Sequence, residues 1–353
     1  MESASIPARP SRPRGEVVRE FISRFGLLAI LLVMPVAYGI QDLQNEGDLG
    51  RLATNIKDGL SNGAIWALIA VGYTLVYGII ELINFAHGDL FMLGSFVAFS
   101  MMGTIGLTTA TGGLGLVFGL VLILLIAMVA CGALNTMIER VAYRPLRSAP
   151  KLAPLITAVG FSFILRNVGL LWLGGSHHGV PDLIESQHTL FTIIGVPFTN
   201  GDILALAVTA PLVVVLVNFI NFSRIGRAMR ATAQDPEAAR LMGISVDTTI
   251  SFTFLLGGLM AGAAGLISAL YQTDIWFEAG FTAGLIAFTA AVMGGIGNLK
   301  GAVIGGLIIG IIQQISDNRI GTEWTPAIVF AYLVLIMVFR PQGILGEQTR
   351  EAG

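Results

Sequence analysis

An all-α fold, a polytopic transmembrane helical bundle, is what this sequence predicts, and three observations carry the prediction. Apolar residues make up 54% of the chain and charged residues only 12%, about half the ~25% charged share of a soluble domain. Mean hydropathy is +0.79. Apolar runs of roughly span length recur along the sequence, and Lys and Arg gather in alternate connecting loops. No hydrophilic stretch is long enough to fold as a separate soluble domain, so any energy-converting unit must be another chain. The net charge of −2 decides little, because what matters in such a chain is where the charges lie. Its one cysteine, Cys131, excludes an internal disulfide and reads as a small buried residue.

Residues 1–24 carry Arg9, Arg12, Arg14, Arg19 and Arg24 among Pro7, Pro10 and Pro13. They read as a disordered basic tail held in the cytoplasm. Phe25 to Ile40 is the first apolar run, shorter than the ~20 residues a span prefers. No small-x-small cleavage site follows it, which favours a span over a signal peptide. Asp42, Glu46 and Asp48 then lie outside. From Ile56 to Met102 the chain is apolar almost throughout, too long for one span. It reads as two helices joined by a tight cytoplasmic turn at Asn84 to Asp89. Leu114 to Ile138 returns to Glu139, Arg140, Arg144, Arg147 and Lys151, a basic and therefore cytoplasmic loop.

Leu152 to Leu173 goes out with Arg166 inside it, and Gly174 to Asn200 forms an external loop without Lys or Arg. Ile203 to Phe219 comes back, and Thr249 to Tyr271 goes out again. Phe281 to Leu299, Ala302 to Ile315 and Thr325 to Phe339 complete the set, and Arg340 opens a polar tail that ends in residues 347–353. The count is about ten spans with both termini cytoplasmic, or about eight if the Phe281–Ile315 pair is re-entrant. Residues 25–346 form one membrane domain. Gly301 and Gly305, Gly306 and Gly310, and Gly115 and Gly119 stand at G-x-x-x-G spacing, which lets helix backbones approach in lipid. Packing within the chain is the simpler use, a dimer seam the other. Ser148 and Thr232 on one side, and Ser186 and Ser316 on the other, are the positions where cysteine probes would test this topology.

The longest water-soluble interruption of the second half, Asn221 to Asp247, contains a short helix whose two ends are written in sequence. Asp235 is a good N-cap, Pro236 suits the first helical position, and Glu237 puts a negative charge in the first turn. Gly243 supplies the left-handed stop. Pro236 to Met242 is then about two turns, ~10 Å long, and too short to stand unsupported in water. Arg224, Arg227, Arg230 and Arg240 place it in the cytoplasm. Ala238, Ala239 and Met242 would form one small-sided apolar face, and Glu237 and Arg240 could brace each other. Such a helix suits docking into a partner's groove; an ordinary ordered loop is the other reading.

Enzyme signatures are missing: there is no phosphate loop and no H-E-x-x-H. GGIGNLKG from Gly294 has the wrong spacing for a dinucleotide fingerprint. His177, His178 and His188 match no standard metal site and read as solvated loop residues. More telling is Gly72 to Phe99, GYTLVYGIIELINFAHGDLFMLGSFVAF, where Glu81, Asn84 and Gly88 or Asp89 cluster at lipid depth. Polar and ionisable groups there usually face a bundle interior or a water-filled path, which makes Glu81 and Asn84 candidates to line a translocation path. His87, Gly88 and Asp89 read as a polar turn at the cytoplasmic surface. Arg166 has a stem long enough to reach the outer interface.

These residues are also familiar. GYTLVYGIIELINFAHGDLFMLGSF closely resembles the signature of permease subunits of branched-chain amino-acid ABC importers. So do ERVAYRPLRSA (Glu139 to Ala149), SRIGRAMRATAQDPEAARLMGI (Ser223 to Ile244), FTAAVMGGIGNLKGAVIGGLIIG (Phe288 to Gly310) and RPQGILG (Arg340 to Gly346). The resemblance covers Asn55 to Gly346 and implies a pore subunit of the cell (inner) membrane, with no catalytic residues, metal or cofactor. It implies that 222–247 is the coupling loop, with the Asp235–Gly243 helix docking in a cytosolic ATPase. It further implies a second permease subunit, two ABC ATPase subunits, an external substrate-binding protein and an amino-acid substrate; nothing points to nucleic acid. Relatives in the superfamily carry urea, short amides, sugars or other neutral amino acids, so urea or a short amide is the alternative cargo. An ion-coupled secondary transporter is the rival class, and it would show coupling-ion sites on broken helices near the midplane. Here intramembrane charge is nearly confined to Glu81 and Arg166.

Overall fold

The structure is a computed structural model that describes residues 14–45, 47–147, 149–150 and 152–346, with side chains from residue 26 onward except 27, 28 and 30. Ser148, Lys151 and the 347–353 tail lie outside the described residues. In chain order the helices are α1 (Arg14–Asn45), α2 (Gly50–Ile80), α3 (Ala86–Ile105), α4 (Gly113–Ile138), α5 (Leu152–Leu173) and α6 (Asn200–Phe222). They continue with α7 (Arg224–Gln234), α8 (Pro236–Leu241), α9 (Val246–Gln272), α10 (Ala279–Gly294), α11 (Leu299–Arg319) and α12 (Thr325–Phe339). Each apolar run of the sequence becomes one helix, and α7 and α8 fill the polar loop between α6 and α9.

Among the described residues 8 segments are long and apolar enough to cross a membrane, while α10, at 16 residues, is shorter. Its partner α11 runs 21 residues, past the apolar limit at Ile315. Hydropathy misses that extension because its polar side chains are satisfied helix to helix. Trp66 donates to Gln313 (2.6 Å), Asn62 to Gln314 (2.9 Å) and Asn318 to Asn55 (2.7 Å), so α11 lies antiparallel against α2. A second correction concerns the basic N-terminal segment. α1 starts at Arg14, so the stretch from there to Arg24, expected to be a disordered tail, is helical and continuous with the first apolar run. Val17 with Phe21, and Val18 with Ile22 and Phe25, already have helical spacing. Residues 1–13 lie outside the described residues.

Helices α2, α3 and α9 form the interior, and the other long helices pack around them. Glycine sets how closely they approach. Gly306 and Gly310 meet α2 at Ala67, Gly59 and Gly63, and Gly301 and Gly305 meet α10 at Gly294 and Ala290. Those two pairs therefore pack within the chain. Two buried cations are paired, which offsets the cost of taking them from water. Lys57 bridges Asp202 (2.6 Å) and Asp58 (2.5 Å), and Arg319 holds Asp42 (2.6 Å). At the end opposite α8, short strands at 178–179 and 274–275 pair, and a hairpin joins 189–193 to 196–199.

The signature region departs most from expectation. α2 stops at Ile80 because Glu81 takes a left-handed conformation (φ 51°). The chain then folds back into the bundle, and α3 begins with His87, Gly88 and Asp89 in its first turn. None of the three is a surface turn: His87 is 0% and Asp89 1% exposed. The His87 ring sits edge-on to Tyr73, 4.7 Å between centroids, two helical turns back from the end of α2. Glu81, read as the intramembrane charge, is exposed at the helix end. A polar residue beside an apolar run gives no sign of which way the chain turns next, so sequence placed these groups the wrong way round.

Candidate functional site

Two regions can do something specific: the α7–α8 loop and the buried polar cluster beside the α2–α3 break. In the loop, Ser223 caps α7 by accepting from the Gly226 amide (2.9 Å). Gly226, Met229 and Thr232 face inward at three-residue spacing. Gly226 has no alternative, since a Cβ there would lie 1.9 Å from the Ile220 carbonyl oxygen. Arg230 donates to the carbonyls of Ile220 and Asn221, and Arg227 to that of Phe222. These are the carbonyls that α6 leaves unpaired at its C-terminus, where cations are favoured. α7 was not read from the sequence, because its arginines look like loop residues. The signal was there in Ser223 as N-cap and the inward spacing.

α8 forms as its caps dictate. Asp235 is extended and its Oδ1 accepts from the amides of Glu237 and Ala238, both at 2.9 Å. Pro236 occupies the first turn. At the other end Gly243 (φ +82°) donates to Arg240 and Ile244 donates to Ala239, both 3.0 Å, a Schellman pair of bonds. The helix ends at Leu241, with Met242 as its C-cap. The expected apolar face is corrected. Ala239 is 3% exposed and packs into its own chain, while Leu241 (88%) and Met242 (82%) stand out beside the exposed Ala238. Glu237 and Arg240 are exposed as well. Residue spacing groups small side chains on a face, but which face the bundle covers depends on how α8 leans on its neighbours.

The loop leads directly into a charged joint between α9 and α4. Asp247, in the first turn of α9, binds Arg147, and Arg147 also binds the fully buried Glu139 at the end of α4. Ser251 donates to Glu139 Oε2 (2.5 Å) and accepts from Arg144 (2.7 Å). The start of α9 is thus tied to the end of α4.

In the signature cluster, Asn84 donates to Asn135 (3.1 Å), Tyr143 donates to Asn84 (3.1 Å), and Asn135 donates to the Phe254 carbonyl (2.6 Å). Asn84 therefore ties the α2–α3 break to α4 and α9. Gly88 lies against Gly280 and Gly284 of α10, and Asp89 Oδ2 accepts from Ser162 of α5 (2.5 Å). Arg166 does not extend away along α5: its guanidinium lies over the rings of Phe163 (5.5 Å) and Phe281 (5.0 Å). It lines a cavity of about 230 Å³ between α5 and α10, and a second cavity of about 530 Å³, with Trp66, Phe91 and Gln313 in its wall, opens toward the 273–278 turn. Glu81 lines neither. His177 pairs with Asp274 and stacks on Trp276, and His178 donates to the Leu173 carbonyl.

Comparison with known proteins bears on all of this. Residues 55–338 match the family described as branched-chain amino acid transport system / permease component. The high-affinity branched-chain amino acid transport system permease protein LivH of Salmonella typhimurium is 40% identical over 300 residues, which is 82% of this chain and 94% of LivH. BraD of Pseudomonas aeruginosa, with the same description, is 39% identical over 297 residues, 83% of this chain and 95% of BraD. The fructose import permease protein FruG of Bifidobacterium longum is 25% identical over 261 residues, 72% of this chain and 74% of FruG.

Proposed function

The chain belongs to the family of branched-chain amino acid transport system permease components, and from that premise we propose that it is the pore subunit of an ATP-driven importer of the inner membrane. In this reading α8 is the coupling helix. It sits in the cytoplasm, docks in a groove of an ABC ATPase and passes the ATPase's movement to α9 and α4 through the Asp247–Arg147–Glu139 joint. A second permease subunit completes the pore, two ATPase subunits power it, and an external binding protein delivers a branched-chain amino acid. The observation that carries the reading is the pair Leu241 and Met242. Two large apolar side chains stand uncovered at the end of a six-residue helix that is capped at both ends and braced from behind. Such a surface is built for a helix-in-groove contact.

Purifying the chain with its ATPase and binding protein, and measuring leucine uptake into proteoliposomes, tests the proposal. ATP-dependent uptake is the expected result. Uptake that follows an ion gradient without ATP would put the chain in the secondary-transporter class instead.

Sidedness is checked separately. Thr232, Ser186 and Ser316 are all buried and would hide a cysteine from any reagent. Exposed positions serve better. Cysteines at Gln187 and Glu323 should react with a membrane-impermeant thiol reagent in intact cells, and one at Gln234 should react only after the membrane is opened. Labelling of Gln234→Cys from outside would invert the proposed orientation.

Glu81 and Asn84 divide in this reading. Glu81 stands at the exposed end of α2, so Glu81→Ala should leave uptake within about twofold of wild type, the range of a typical surface change. Asn84 bonds to both Asn135 and Tyr143, so Asn84→Ala strands two buried partners and should cost about 1–3 kcal/mol of stability. Proteoliposome uptake checks the first expectation and thermal melting of the detergent-solubilised variants the second; a Glu81→Ala protein with normal melting but no uptake would return Glu81 to the path.

A further inference from the structure

The cavity between α5 and α10 has an unusual wall. Phe85, Phe281 and Phe288 make most of it apolar, yet Arg166 and Ser162 also line it. A guanidinium in a membrane-spanning segment is costly and needs compensation. Arg166 finds only aromatic faces, and its Nε is buried without an acceptor among the described residues. Behind Ser162 and Gly280 stands Asp89, which is 1% exposed. Its Oδ2 is occupied by the Ser162 hydroxyl, and its Oδ1 has no partner among the described residues. A Cβ at position 280 would come within 2.8 Å of that oxygen, so Asp89 lies directly behind the Ser162 and Gly280 stretch of the cavity wall.

Arg166 on the wall and Asp89 just behind it are thus opposite charges that do not pair, and each keeps an unpartnered polar atom among the described residues. A pair meant only to neutralise itself would close into a salt bridge, since separation leaves both desolvation costs unpaid. An aromatic-sided cavity with separated opposite charges is complementary to a small hydrophobic zwitterion. We infer that this cavity is a transit site for an aliphatic amino acid: Arg166 takes the carboxylate, the Ser162 hydroxyl, backed by Asp89, takes the ammonium, and Phe281 and Phe288 pack the side chain. This deepens the importer reading and rests on it. The cavity volume of about 230 Å³ equals roughly seven or eight waters at ~30 Å³ each, the scale of a single amino acid rather than a peptide. The phenyl rings select against hydrophilic cargo, and the charge pair selects against aliphatic acids or amines that have only one of the two groups.

The test uses the complete importer in proteoliposomes. Arg166→Gln should lower ATP-driven leucine uptake about tenfold or more, the loss expected for one charged hydrogen bond. Binding-protein-stimulated ATP hydrolysis should stay near wild type, a readout that a folding defect would not spare, and Arg166→Lys should restore part of the uptake. Val159, which lines the same cavity and is 38% exposed, can be changed to cysteine with little risk to folding. Modification of Val159→Cys by a small thiol reagent should block uptake, and L-leucine should slow the modification. Neither 4-methylpentanoate nor 3-methylbutylamine, which carry one charged group each, should do so. Protection by either fragment equal to that by leucine, no protection at all, or wild-type uptake by Arg166→Gln would each overturn the inference. A wild-type importer that takes up no branched-chain amino acid would instead defeat the functional reading beneath it.

Discussion

Changing Leu241 and Met242 together to glutamate is expected to abolish uptake and to release the ATPase, while the chain inserts and folds normally. Both side chains are more than four-fifths exposed, so they contribute little to this chain's own stability. In a groove each would bury apolar surface worth about 1.5–3 kcal/mol, and charges in their place would add a desolvation cost. Together these exceed the ~1.4 kcal/mol per tenfold of affinity several times over. The expected assay result is an unchanged melting temperature with co-purified ATPase below detection. Ala239→Glu is expected to behave differently. That position is 3% exposed within the chain, so a carboxylate there should displace α8 and lower the melting temperature as well. Gly243→Val should resemble it, because a β-branched residue is strained at φ +82° and the two Schellman bonds depend on that conformation. A Leu241→Glu, Met242→Glu double variant that transports at the wild-type rate with its ATPase bound would remove α8 from the coupling role.

Gly310→Val is expected to be severely damaging to the bundle. A Cβ at Gly310 would lie 2.3 Å from the Gly59 carbonyl oxygen and 2.4 Å from the Gly63 Cα. Those are backbone atoms, so no rotamer change relieves the clash, and overpacking of this kind costs more than the usual ~1–3 kcal/mol. The harm spreads, because the α2–α11 bonds at Asn55, Asn62 and Trp66 exist only at this separation. In lipid, close packing and such bonds are the forces that hold helices together. The variant should therefore be degraded or aggregate on detergent extraction. Gly103→Val is the control, since nothing lies within 4 Å of a Cβ there, and it should extract as wild type. A monodisperse Gly310→Val protein with normal melting would show that α2 and α11 do not pack as described.

Much of this molecule was legible as pattern. Ten apolar runs became ten helices because each needs only its own backbone bonds and a lipid-compatible surface, both local properties. α8 was legible for the same reason: Asp235, Pro236 and Gly243 act on amides and carbonyls within a few residues of themselves. The family motifs were legible as strings, independent of any geometry. What a run of residues could not show was direction. His87 and Asp89 are interior and Glu81 is not, because a left-handed residue at 81 turns the chain back on Tyr73. Ala239 is inward and Leu241 outward because α8 leans on the rest of its own chain. Arg166 points at Phe281, 115 positions away, because α10 lies beside α5. The sequence by itself determined which apolar segments are helices, how α8 is capped and which family the chain belongs to, since those follow from local hydrogen bonding, hydropathy and shared residues. Only the tertiary structure decided which polar groups meet and which apolar ones are left bare, because burial is a property of neighbours distant in sequence.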